Sequence, residues 1–240
     1  MTATATVAWH DVECHAYDAD LAVWRALAER EPGPVLDVGA GTGRVALDLA
    51  EAGHEVVALD VDAVLLDALR RRGAERGVAV EAVVGDAEAF DLGVARFNLV
   101  IVPMQTVQLL ADRPAFLRSA RRALCRGGLL AAAIADELAP FDPEPGWLPH
   151  PDVGEFAGWR YTSQPTAIRV GPERVRLERV RTAEGPRGER TIEANAIELA
   201  LLDAAGLARE ARAAGLQPVP GRRIAPTGGH AGSSVVMARA

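Results

Sequence analysis

Between residues 35 and 60 the chain reads VLDVGAGTGRVALDLAEAGHEVVALD. Asp37 precedes three glycines at alternate positions, Gly39, Gly41 and Gly43, and a second acid, Asp60, ends the next apolar run. Glycines let a backbone approach a ligand closely, and a turn that opens a helix points N–H groups at an anion. Three ligand classes compete for such a turn. A dinucleotide turn follows G-x-G-x-x-G, whose third glycine lets helix pack on strand, and that slot holds Arg44. A P-loop needs a lysine after its last glycine, and all 26 basic residues of this chain are arginine. A nucleoside with a zwitterionic tail fits better. Its carboxylate would face the helix N-terminus, its ammonium Asp37, and its ribose hydroxyls Asp60.

These residues need a scaffold that places strand ends side by side. Strands are expected at Val35–Val38, over EVVALD, VAVEAVV and FNLVIV, and at LLAAAIA. Between them lie helical patterns: one from Arg44 to a C-terminal Gly53, and one capped by Asp62 and closed by Gly73. A third opens at Asp112–Pro114 and runs to Leu124, with CRGG between it and the fifth strand. Continuous apolar strands alternating with helices indicate βαβ units and a parallel sheet covered on both faces. Before it, residues 1–31 hold a helical stretch, with Leu21, Trp24, Leu27 and Ala28 on one face.

After Asp136 the rhythm breaks into a segment rich in Pro, Gly and acids. Three alternating stretches follow, RYTSQPTAIRV, RVRLERVRT and RTIEANAIEL, separated by turn signals, and read as a small antiparallel meander. A helix over roughly 201–214 closes at Gly215, and two strands, PVPGRRI and SSVVMAR, finish the chain.

At 240 residues the chain accommodates one α/β domain with an insertion. A formal net charge of -7 argues against a nucleic-acid partner, which is usually gripped by a basic face. There is no apolar run of membrane-spanning length and no signal-peptide pattern at the N-terminus, so a soluble cytoplasmic protein with no membrane partner is expected. Cys14 and Cys125 are far apart and read as unpaired thiols. His10, Cys14 and His15 have metal-like types without a fourth ligand at a recognised spacing; no metal is expected, and a frayed N-terminal segment is the expectation there.

The series of motifs resembles the class I S-adenosylmethionine (SAM) dependent methyltransferases over roughly residues 15–135. Asp60 matches the acid that ends strand two, GDA (Gly85–Ala87) an Asp-small pair after strand three, and RRALCRGGLL an R-x-L-x-x-G-G element before strand five. The resemblance implies a doubly wound, mostly parallel, seven-stranded Rossmann-like α/β sheet in the order 3-2-1-4-5-7-6. Residues 1–240 would be one domain, with 1–31 an N-terminal helical cap and 136–198 an inserted antiparallel lid over the substrate side. It implies SAM as cofactor, held by Tyr17, Asp37, Gly39, Ala40, Gly41, Asp60, Val61, Asp86, Ala87, Val102 and Gln105. Asp86 would face the adenine amino group and the Ala87 N–H a ring nitrogen. Tyr17 enters through AYDADL, similar to a YD element that folds over the cofactor in small-molecule members.

Methyl transfer is an in-line displacement, so the protein must align the reacting atoms, exclude water and sometimes remove a proton. The stretch after strand four, VPMQTVQLL, departs from the [DNS]-P-P-[YFW] of DNA adenine methyltransferases, which lowers a nucleobase acceptor. Gln105 and Gln108 are candidates to orient an acceptor, with solvated loop residues the equal alternative. His230, in the connection APTGGHAGS, is a general-base candidate, with Tyr161 and His150 weaker ones. Arg44 would contact the ligand carboxylate or form a surface salt bridge. The reading is methylation of O or N of a small molecule by a monomer or homodimer. The alternatives are a protein or RNA methyltransferase, a SAM-binding protein without catalysis, and a nicotinamide-dependent oxidoreductase.

Overall fold

In the computed structural model, residues 2–142, 148–227 and 230–240 are described. The parallel strands of the central sheet are β1 (Val35–Val38), β2 (Val56–Asp60), β3 (Glu81–Val84), β4 (Phe97–Val102) and β5 (Leu124–Ile134). A terminal antiparallel pair, β10 (Gln217–Ile224) and β11 (Ser233–Arg239), completes it, giving the order β10-β11-β5-β4-β1-β2-β3. Counting only this sheet's strands, that is the expected 3-2-1-4-5-7-6. The strand order reverses between β1 and β4, and the carboxyl ends flanking such a switch point form the crevice where ligands bind in open α/β sheets.

Apolar side chains cover both faces. On one, α6 (Arg113–Ala123) and α7 (Ala204–Ala213) bury Phe116, Leu117 and Leu207. On the other, α2 (Leu21–Arg30), α3 (Arg44–Glu51) and α4 (Ala63–Arg76) bury Trp24, Leu47 and Leu66. Each such side chain taken from water contributes about 1.5–3 kcal/mol, which is why these amphipathic stretches dock as helices. The caps follow the chemistry of their residues. Asp62 accepts from the N–H groups of Val64 and Leu65, and Asp112 from that of Ala115.

Several boundaries differ from the sequence reading. Gly73 does not close α4; the helix runs on to Gly77, which takes the left-handed conformation (φ 69°) that ends it. CRGG lies within β5, where the register with β4 jumps from Phe97↔Leu124 to Leu99↔Leu129. The third strand is four residues rather than seven, and the short helix α5 (Thr106–Leu109) follows β4. The meander has a fourth strand: β6 (Asp152–Phe156) pairs with β7 (Trp159–Val170), which continues to β8 (Arg174–Glu184) and β9 (Arg190–Ala200).

The N-terminus is the largest correction. In place of a frayed segment, α1 (Ala3–His10) leads into a π-helical turn, Asp11–His15. Val7, Ala8, Trp9 and Val12 are buried, and the Trp9 ring meets Tyr161 edge-on at 4.9 Å between centroids. Charges fix the segment on both sides. Asp11 pairs with Arg72 of α4, while Glu13 accepts from Arg181 (2.7 Å) and Ser163 (2.9 Å) and pairs with Arg179 (2.9 Å) of the four-stranded sheet. The N-terminal helices thus stand between the two sheets and tie them together.

Candidate active site

Asp37 is the penultimate residue of β1, opposite Ala58 of β2, Asp60 ends β2, and the glycine turn runs from β1 toward α3. The turn satisfies most of its own backbone. Gly39 and Ala40 donate to the Leu59 carbonyl, Gly43 donates to Ala40, and Gly41 donates to Oδ2 of Asp60 at 2.8 Å. The N–H groups of Gly39, Ala40, Gly41 and Gly43 thus brace the turn. The backbone of Gly41 (φ 56°) is pressed so closely by His10 that a Cβ there would lie 2.2 Å from its Nε2. Only glycine fits that position.

Asp60 is pinned by two backbone donors, Gly41 on Oδ2 and Asp62 on Oδ1 (2.9 Å). Each carboxylate oxygen keeps a further acceptor position, which suits a pair of adjacent hydroxyls. Beside it Val61 is 76% exposed, an apolar side chain bare to solvent at a strand end. Across the crevice Asp86 accepts from the Glu88 N–H (2.8 Å) and shapes the loop after β3. The Ala87 N–H has no acceptor among the described residues. Arg122, from the R-x-L-x-x-G-G element, holds this loop by donating to the Phe90 carbonyl at 2.8 Å.

Asp37 is 1% exposed, accepts from the Ala46 N–H of α3, and leaves its Oδ1 without a partner. Burial pushes its carboxyl up to about 7, against the pull of the Arg44 charge. Arg44 forms no surface salt bridge. Its guanidinium is buried, donates to Asp20 (2.8 Å) and to the Tyr17 carbonyl (2.8 Å), and lies 5.3 Å from the Tyr17 ring centroid. Asp20 also accepts from Trp24 Nε1 at 2.8 Å, so this ion pair anchors α2 and the YD element to the start of α3.

That anchoring brings Tyr17 to His230, with ring centroids 4.8 Å apart and planes inclined by 36°. The two line a cavity of about 50 Å³ together with Met104, Gln105 and Ser233. The Tyr17 hydroxyl is buried without a partner among the described residues. Three separated stretches, Tyr17 and Gln105 expected at the cofactor and His230 expected as a general base, thus line one cavity.

Other candidates lie elsewhere. Val102 is fully buried, its side chain part of the core beneath α6. Tyr161 packs against Trp9, Val12 and Ala183, away from the cavity lining, because its strand face is covered by α1. His150 is exposed on the run into β6. Gln108 is a buried clasp and no acceptor-orienting residue: its amide donates to the carbonyls of Ala135 (3.4 Å) and Ala200 (3.0 Å), and its Oε1 accepts from the Ala135 N–H (2.8 Å). Ala135 follows the end of β5 and Ala200 ends β9, so the clasp joins the two strand ends that bracket the antiparallel sheet. Burial pushes the Cys14 thiol up to about 11, which leaves it a poor nucleophile. Sequence reasoning missed His10, Asp11 and Glu13 as neighbours of the turn and the antiparallel sheet, since their partners are remote in sequence.

The family model of the methyltransferase domain matches residues 35–128. A ubiquinone biosynthesis O-methyltransferase of Methylobacterium nodulans is 34% identical over 130 residues, which cover 48% of this chain and 49% of the relative. The chain spans about half the length of the curated relatives it matches. Among solved structures, SAM-bound CalS10, an amino pentose methyltransferase from Micromonospora echinaspora, superposes with a TM-score of 0.71 over 97% of this chain and 95% of that one, at 20% identity. The glycopeptide N-methyltransferase MtfA with SAM gives 0.61 over 91% and 86%, at 26% identity. These matches agree in fold with the seven-stranded sheet, and residues 35–128 carry a methyltransferase domain of the SAM-dependent class.

Proposed function

We propose that this domain transfers the methyl group of SAM to O or N of a small-molecule acceptor. The observation that carries the reading is the gathering, around the glycine turn, of a pinned carboxylate with spare acceptor positions, Asp60, and two buried polar atoms without partners among the described residues, Asp37 Oδ1 and the Tyr17 hydroxyl. Asp60 receives the ribose. Val61 offers an apolar surface to the adenine, with Asp86 and the Ala87 N–H at its edge. Asp37 and Tyr17 meet the polar tail, where an ammonium relieves the buried carboxylate. When bound, SAM supplies an electrophilic methyl on a sulfonium.

The chain's own contribution is mostly positional, the effect of holding reacting groups in line. Met104, Gln105, Tyr17 and His230 wall the space beside the tail, and the imidazole of His230 takes the proton that an acceptor hydroxyl or amine must lose. The antiparallel sheet, clasped at its root by Gln108 and tied to the N-terminal helices by Glu13, serves as a lid that keeps water out. Support for a small acceptor comes from the walled cavity and from relatives named for quinone, amino sugar and glycopeptide methylation.

Isothermal titration with SAM tests the cofactor half. The protein binds SAM, and Asp60→Ala loses at least about tenfold in affinity, as expected for removing a charged hydrogen-bond acceptor from the ribose. Unchanged affinity in the variant contradicts the assignment.

A further inference from the structure

His10 ends α1 and lies on the glycine turn, its Nε2 and Cε1 against Gly41, in a chain stretch that carries no recognised methyltransferase motif. Its Nδ1 is 3.3 Å from the Thr42 hydroxyl oxygen. Thr42 has one hydroxyl proton, and donates it to Oδ1 of Asp11 at 2.8 Å. Asp11 is in turn held by Arg72, so that proton stays committed. The Thr42 oxygen can therefore only accept from His10, which puts the imidazole proton on Nδ1. Nε2 is left as a bare acceptor, without a partner among the described residues, beside the N–H of Gly41 that braces Asp60.

We infer that His10 is a second ribose-recognising residue, its Nε2 accepting the proton of one ribose hydroxyl of SAM while the neighbouring hydroxyl donates to Asp60. This rests on the proposed placement of the ribose at Asp60. The tautomer selects the ligand group: an unprotonated Nε2 recognises a hydroxyl donor and has nothing to offer a carboxylate. Burial favours the neutral imidazole, lowering its pKa against the opposing charges of Asp11, Asp60 and Glu13, with Arg72 acting in the same direction as burial. Through Thr42 and Asp11 the N-terminal segment thus contributes to the cofactor site as well as covering it.

The test is a calorimetric titration of S-adenosylhomocysteine and its 2′-deoxy and 3′-deoxy analogues into the wild type and His10→Phe, which keeps a ring against Gly41 and removes both nitrogens. The expected result is about a 3- to 10-fold weaker S-adenosylhomocysteine affinity in the variant, the loss of one neutral hydrogen bond. That loss vanishes for the analogue missing the hydroxyl in question. His10→Ala carries the same comparison if the phenylalanine variant does not fold. Equal affinities in wild type and variant, or an equal loss for both analogues, overturn the inference, as does tighter binding by the variant, which marks the ring as an obstruction. A wild type that binds S-adenosylhomocysteine with no dependence on Asp60 refutes the ribose placement instead.

Discussion

Asp37→Asn is a near-isosteric change at a carboxyl with 1% exposure, and it tests whether the glycine turn is built around a buried proton-bearing acid. Burial raises the Asp37 carboxyl from 3.8 to about 7; Arg44 and the Ala46 N–H pull it down, and Asp60 and Asp20 push it up. The unfolded chain gives up this proton near pH 4 and the native chain holds it to about pH 7. The native state therefore binds more protons across that window, and stability falls as pH rises through it. At about 1.4 kcal/mol per pH unit the full penalty above pH 7 is about 4 kcal/mol, of which about 3 kcal/mol develops between pH 5 and pH 8. The variant cannot ionise and is spared that loss. Urea unfolding followed by circular dichroism, at pH 5 and pH 8 without ligand, reads it as a difference of differences. The unfolding free energy of Asp37→Asn should gain about 3 kcal/mol on the wild type between the two pH values. A gap that does not change with pH refutes the reasoning. With saturating SAM the gap should narrow, because a cation at Oδ1 stabilises the wild-type carboxylate.

Two further outcomes concern the supports of the site. Arg44→Ala leaves the Asp20 carboxylate, 1% exposed, without its cation, and should cost about 3–5 kcal/mol in thermal or urea unfolding; a loss under 1 kcal/mol marks the pair as expendable. Gln108→Leu strands the Ala135 N–H and the Ala200 carbonyl. It should cost about 2–4 kcal/mol and speed hydrogen exchange in β6–β9 more than in β1–β4, whereas uniform exchange contradicts a clasp at the lid's root.

The main sheet was legible because its strands are buried on both faces and so appear as unbroken apolar runs; FNLVIV matches β4 residue for residue. The glycine turn and its two acids were legible because few ligands suit that combination. What stayed hidden depends on partners far along the chain. Val7, Ala8, Trp9 and Val12 form no helical stripe strong enough to identify α1, and the segment is held by Asp11–Arg72 and Glu13–Arg181, pairs that no local pattern shows. Strand β6, DVGEF, is a short edge strand with a glycine and two acids, a composition that reads as loop. Gln108 reads as an acceptor-orienting or a solvated residue, since nothing in the sequence says that two strand ends beside it need its amide. Arg44 reads as a contact to the ligand carboxylate or a surface salt bridge; its partner Asp20 lies among the N-terminal residues, 24 positions earlier. Gly73 and Gly77 are equally plausible stops by type, and only the backbone conformation chooses between them.

A crystal structure of the full chain with S-adenosylhomocysteine tests the central claim most directly. The ribose should lie with a hydroxyl within hydrogen-bonding distance of the Asp60 carboxylate, the adenine edge at Asp86 and the Ala87 N–H, and the amino acid tail between Asp37 and Tyr17. A ligand seated away from Asp60, or a crevice that takes up none at saturating concentration, would contradict it.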